Sequence, residues 1–228
     1  KKKLAAIDTE TKPIESRPSY PPQSVGYAIE VQGRRPEYWA FGHPTQNNCS
    51  KAQAKARVRE VLRECRPVFH NAPFDLEVLA ADGVRVTGEY HDTMRLAFIN
   101  EPRSRDLGLK PQAEQWLGMP PDEMNALRNW ITEHVPEAAK RAKRSKGKLK
   151  NWGDFIWLAP GRLVAPYAKG DATRTNALFD CYVDELEKSD EEYEESRMID
   201  SYHREMDLIP IVMGMEQRGI RVRLSKLK

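Results

Sequence analysis

The chain has 228 residues, 31% charged and 39% hydrophobic, with a formal net charge of +3. This composition fits an α/β domain with an appendage and excludes membrane-embedded and collagen-like chains, while the small charge excludes a uniformly basic nucleic-acid coat but not a local basic patch. Cys49, Cys65 and Cys181 form an odd, scattered set with no Cys-x-x-Cys pair, which excludes a disulfide framework and a zinc knuckle and points to a reducing compartment.

Residues 4–8 are short, apolar and bounded by charge, which predicts a buried strand. The stretch is far too short for a signal-peptide core or a membrane helix. Residues 12–23 carry Pro13, Pro18, Pro21 and Pro22 and read as a loop. The alternating Val25, Tyr27, Ile29 and Val31 predict a strand over 24–32, turned at Gly33 and paired with a third strand over 38–41. Ser50 is a candidate N-cap for a helix carrying Ala54, Val58, Val61, Leu62 and Cys65, ended by Pro67. A short strand over 68–70 follows, then a helix with Pro73 in its first turn that stops near Gly83. Another strand is predicted over 84–90, and Asp92 is a candidate cap for the next helix. Helices are expected over 107–117 and 124–134, interrupted by Pro120 and Pro121 and limited by Pro136. A long helix is expected from Pro166 to about Lys188. The order predicts an α/β domain with a mixed sheet.

Two charge runs stand out. The first, over 140–150, contains Lys140, Arg141, Lys143, Arg144, Lys146, Lys148 and Lys150. It reads either as a solvated helix end and loop or as a phosphate-contacting flap. The second, over 190–195, is acidic and reads as a solvated helix face.

Three elements carry candidate chemistry. Asp8 and Glu10 lie two apart at the end of the first strand, so they face the same side. Two such carboxylates repel unless a cation sits between them, although a solvated strand end also accounts for the pair. Asp75 lies at the start of a helix after an apolar strand, where dipole stabilisation is the alternative. Tyr167 and Asp171 fall four apart on one face of the long helix, as an ordinary amphipathic helix also allows.

Taken together, Asp8-Thr9-Glu10, His70-Asn71 through Asp75, and Tyr167 through Asp171 resemble the three motifs of proofreading-type 3′–5′ exonucleases with four acidic ligands and an active-site tyrosine. Residues 90–94, 107–110 and 114–118 extend the likeness to the exonuclease domain of bacterial, polymerase I-like family A DNA polymerases. Residues 206–212 and 215–222 resemble the start of that family's polymerase region, and the likeness is weakest over 119–161. The resemblance implies a ribonuclease H-like mixed sheet flanked by helices, with a C-terminal helical extension. It divides the chain into an exonuclease domain over 1–190, with a basic insertion around 138–152, and a linker and truncated polymerase start over 191–228. The chain begins without Met and ends just past that start, so a fragment of a longer enzyme is expected, with no polymerase activity of its own.

The resemblance also implies two divalent ions, Mg²⁺ or Mn²⁺. Asp8 would bridge them, Glu10 and Asp171 would complete the water-activating site, Asp75 would support the second ion, and Tyr167 would orient the attacking water. Hard cations favour carboxylate oxygens, and no clustered His/Cys set argues for zinc. Thr9, Asn71, Phe74 and Lys169 are candidate substrate contacts, with structural hydrogen bonding or core burial as the alternatives for the first three. Asp92 reads as a cap or supporting residue, and His70 and His91 as structural. The expected substrate is the 3′ end of single-stranded DNA or a frayed primer terminus, bound by a cytoplasmic monomer without a membrane and joined to a downstream polymerase domain. A ribonuclease D-like exoribonuclease and an inactive DNA-binding module are the competing readings.

Overall fold

The computed structural model describes residues 2–144, 151–192 and 197–221. Lys146, Lys148 and Lys150 of the basic run, the end of the acidic run and the last residues of the polymerase-like stretch, Val222 included, lie outside them.

Five strands form one mixed sheet in the order β3-β2-β1-β4-β5. β1 (Lys3–Thr11), β2 (Ser24–Val31) and β3 (Glu37–Ala40) make an antiparallel meander. β4 (Cys65–Phe69) and β5 (His91–Asp92) then add in parallel on the other side of β1. α1 (Lys51–Glu64), between β3 and β4, and α2 (Ala72–Ala81), between β4 and β5, supply the crossovers. A parallel return needs such a connection.

Strand alternation sorts the core onto two faces. Ala5, Ile7, Tyr27 and Ile29 point toward α1, α2 and Ile209 of α8 (Met198–Arg218). Ala6, Ala28 and Ala40 point the other way, toward α5 (Glu123–His134), α6 (Pro136–Arg144), a 3₁₀ helix over Trp152–Leu158 and α7 (Gly161–Glu192). α7 passes close here: a Cβ on Gly161 would lie 2.8 Å from the Ala40 Cβ, so small residues set the separation of helix and sheet. A third cluster joins Val68 to α3 (Thr93–Asn100), α4 (Leu109–Leu117), the second half of α7 and Tyr202.

Local chemistry accounts for the helix starts. Ser50 and Gln53 form a capping box at α1. Asp92 accepts from the backbone N–H groups of Asn71, Ala72 and Met94, all at 2.9 Å, so one carboxylate caps both α2 and α3. Asn71 reaches this position in the left-handed region, with φ 70°.

Two expectations need correction. No strand covers 84–90; pairing begins only at His91, because Val84 and, partly, Val86 bury their side chains on the α1–α2 side without a neighbouring strand, the Val84 N–H bonding the Leu79 carbonyl at the end of α2 instead. The long helix starts at Gly161, five residues before Pro166, which lies inside it and lacks the N–H for the bond to the Arg162 carbonyl. All three cysteines are free. Among the described residues no helix is long and apolar enough to cross a membrane.

Candidate active site

The end of β1 is the centre of the site. Asp8 and Glu10 share the orientation of Ala6 and face α7, where Tyr167 and Asp171 lie one turn apart. One carboxylate oxygen from each of Asp8, Glu10 and Asp171 lies within 4.8 Å of the others, and this is the only such cluster among the described residues. The three acids and Tyr167 line a cavity of about 270 Å³, with Thr9, Phe74 and Ile14 in its walls. A roomier hollow of about 590 Å³, between Tyr90 and α8, holds none of these acids.

Electrostatics make the cluster costly without a cation. Burial, followed by the nearby Asp171 charge, pushes the Asp8 carboxyl up to about 7. Burial and the neighbouring acids push Glu10 well above the usual range, and Asp171 is raised chiefly by burial. Burial also raises the Tyr167 phenol well above its ordinary value, aided by the charges of Asp171, Glu10 and Asp8, so it stays protonated.

Asp75 takes a different position. Thr9 points to the opposite side of β1 from its two neighbours, and both its N–H (2.9 Å) and its hydroxyl (2.7 Å) donate to Asp75 Oδ1. Asp75 is 2% exposed and feels the Asp8 charge, but it lies outside the three-acid cluster. Phe74, half-buried, lines the cavity. Asn71 is exposed and does not line it. Lys169, two residues from both Tyr167 and Asp171, lies about 200° around α7 from each and borders a separate hollow with Trp39 and Pro36.

Two cations in the site were not singled out from sequence. Lys110, in the first turn of α4, donates to Asp171 Oδ2 at 2.7 Å and to the Tyr167 hydroxyl at 3.1 Å. Arg174, one turn beyond Asp171 and 3% exposed, is gripped by both Glu123 oxygens (2.5 and 3.0 Å) and the Pro120 carbonyl. Its helical spacing from Tyr167 and Asp171 was a readable signal, whereas a lysine early in a helix ordinarily means a solvated one. The 119–161 segment contributes as well, since Trp152 packs edge-on against Tyr167 at 5.4 Å.

A divalent cation fits these donors. They are hard carboxylate oxygens close enough to share an ion, and Asp171 Oδ1 is buried without a hydrogen-bond partner, with the Arg174 guanidinium 3.5 Å away. His70 and His91 do not compete for that role: His70 bonds Thr93 and the Leu107 carbonyl, and His91 bonds Tyr202. Burial holds both imidazoles down to about 4. Asp92 spends its oxygens on three backbone donors, as a cap does.

Known proteins resemble the chain in sequence and in fold. Residues 1–187 match the family described as 3′–5′ exonuclease, of the family A DNA polymerase type. The chain is 28% identical over 227 residues to a DNA polymerase I of Chloroflexus aurantiacus, covering 95% of the chain and 20% of that relative. It is 24% identical over 241 residues to a DNA-directed DNA polymerase of Pseudomonas phage M6, covering 99% of the chain and 32% of the relative. The chain thus spans about a fifth to a third of these relatives' length. Among solved structures, Brucella melitensis NrnC with bound Mg²⁺ superposes with a TM-score of 0.60 at 15% identity, over 99% of this chain and 90% of that one. The POL domain of Pol1 from M. smegmatis, in complex with DNA primer-template and dNTP, gives 0.61 at 16% identity, over 99% of this chain and 30% of that one. Trypanosoma brucei RNase D with GMP gives 0.54 at 15% identity, over 80% of this chain and 51% of that one. These likenesses show the fold, a ribonuclease H-like mixed sheet flanked by helices.

Proposed function

The chain belongs to the 3′–5′ exonuclease domain family of family A DNA polymerases, and from that membership we propose that it hydrolyses phosphodiester bonds at the 3′ end of single-stranded or frayed DNA. In this reading it is the proofreading part of a longer polymerase and works as a monomer in the cytoplasm. The observation that carries the reading is the gathering of Asp8, Glu10 and Asp171 beside Tyr167 in one open cavity.

Divalent ions, Mg²⁺ or Mn²⁺, would supply an acidified water and charge compensation for the departing 3′ oxygen. Asp8, Glu10 and Asp171 would hold them, with Asp75 supporting the second site from the Asp8 side. Tyr167, held protonated by burial and by its acidic neighbours, orients the attacking water through its hydroxyl rather than removing its proton. Phe74 and Ile14, on the cavity wall, offer apolar surface to the terminal base with little sequence preference. The two relatives named above are DNA polymerases, which favours DNA over RNA as the substrate.

The test is degradation of 5′-labelled single-stranded DNA and of a matched RNA in Mg²⁺. Shortening of the DNA from its 3′ end, stopped by chelator and by Asp8→Ala, is expected. Equal, metal-independent behaviour of the two proteins would overturn the reading, and faster loss of the RNA would overturn its substrate.

A further inference from the structure

One cation bonded to the acidic cluster is not accounted for by the acidic motifs: Lys110, which donates to Asp171 and to Tyr167. Lys110 reaches in from α4, an element that carries none of the acids, and its side chain is 19% exposed. Among the described residues its only ion-pair partner is Asp171. Its ammonium also sits 4.3 Å from the centre of the Tyr167 ring while donating to that residue's hydroxyl. Arg174, beside Asp171, is fixed by Glu123 and Pro120, whereas Lys110 carries its charge on an intrinsically flexible four-carbon stem. Lys110 also acts electrostatically on all three clustered acids, opposing the upward shifts of Asp8, Glu10 and Asp171.

We propose that Lys110 is a positioning residue of this site: it holds Asp171 in the metal-free protein, yields that carboxylate when a divalent ion binds, and keeps the Tyr167 hydroxyl directed at the attacking water. The proposal rests on the exonuclease reading above. Two physical points support it. An ammonium and a metal ion compete for the same carboxylate, so the lysine taxes metal affinity by the fraction of time it occupies Asp171. A Lys N–H donated into the phenol oxygen leaves the phenol's single proton for an acceptor, Asp171 in the metal-free protein and the attacking water once an ion takes that carboxylate. Lys110 would thus weaken metal binding while speeding the chemistry, whereas a merely structural residue would support both.

The experiment measures Mn²⁺ binding by electron paramagnetic resonance, without substrate, and turnover on single-stranded DNA at saturating Mg²⁺, for the full chain and for Lys110→Met. The expected result is Mn²⁺ affinity tighter by about fivefold, with kcat lower by about 10- to 100-fold and KM little changed. If Lys110→Met does not fold, Lys110→Gln removes the charge with the same expected outcome. Equal or weaker Mn²⁺ affinity in a folded variant, or unchanged kcat at saturating metal, would overturn the proposal. A wild-type chain that neither binds Mn²⁺ nor cuts DNA would instead overturn the exonuclease reading itself.

Discussion

Asp8 and Thr9 are neighbours in sequence and serve opposite sides of the sheet. Asp8 faces α7 and shares its charge problem with Glu10 and Asp171, while Thr9 turns to α2 and ties down Asp75. The clustered acids have folded-state pKa values above their unfolded ones, through burial first, joined at Asp8 and Glu10 by repulsion from neighbouring acids, as in Asp8 at about 7. The folded chain therefore binds more protons than the unfolded chain between about pH 4 and pH 7. Linkage then makes this group's contribution to metal-free stability fall as pH rises through that window. Mg²⁺, which needs the ionised carboxylates, should restore it. The rise in Tm on adding Mg²⁺ should thus be larger at pH 8 than at pH 5, as differential scanning calorimetry would record. An equal rise at both pH values would show that protons and metal do not compete for these acids. The strand end and the helix face that supply this cluster were legible from period-two and period-3.6 spacing. Lys110 was not, because its role depends on where α4 docks and not on any local pattern.

Asp92 shows how one residue can organise two elements. Its carboxylate joins the starts of α2 and α3, and through α2 it places Asp75 and Phe74. Asp92→Ala should cost about 2–4 kcal/mol in urea denaturation, since it strands buried N–H groups at two helix ends. Activity per folded molecule should change far less than in a variant of the acidic cluster. A stable Asp92→Ala protein without nuclease activity would make Asp92 a site residue and not a cap. The helix starts at Ser50 and Asp92 were legible because capping is local chemistry. The strand predicted over 84–90 failed for the complementary reason. Val84 and Val86 alternate with exposed Arg85 and Thr87, and alternation reports which side chains are buried, not whether the backbone has a partner. β5 is only two residues long and pairs through its position beside β4, which no pattern within it could announce.

At the scale of the whole molecule, the fold brings together acids that are far apart in sequence. β1 sits in the middle of the sheet between antiparallel and parallel neighbours, and α7 crosses its end against a surface of small residues. Glu123 on α5 braces Arg174 beside Asp171, and Trp152 braces Tyr167, so the 119–161 segment forms part of the site's support. The mixed α/β architecture was readable from the order of elements. The bracing was not, because it depends on long-range packing of helices whose sequences show only ordinary amphipathicity. The central claim is that β1 and α7 together build a cation site, and diffraction from crystals soaked in Mn²⁺ tests it most directly. An anomalous peak is expected with carboxylate oxygens of Asp8, Glu10 and Asp171 at about 2.1 Å. A map with no peak between those three side chains, or with their oxygens too far apart to share an ion, would contradict it.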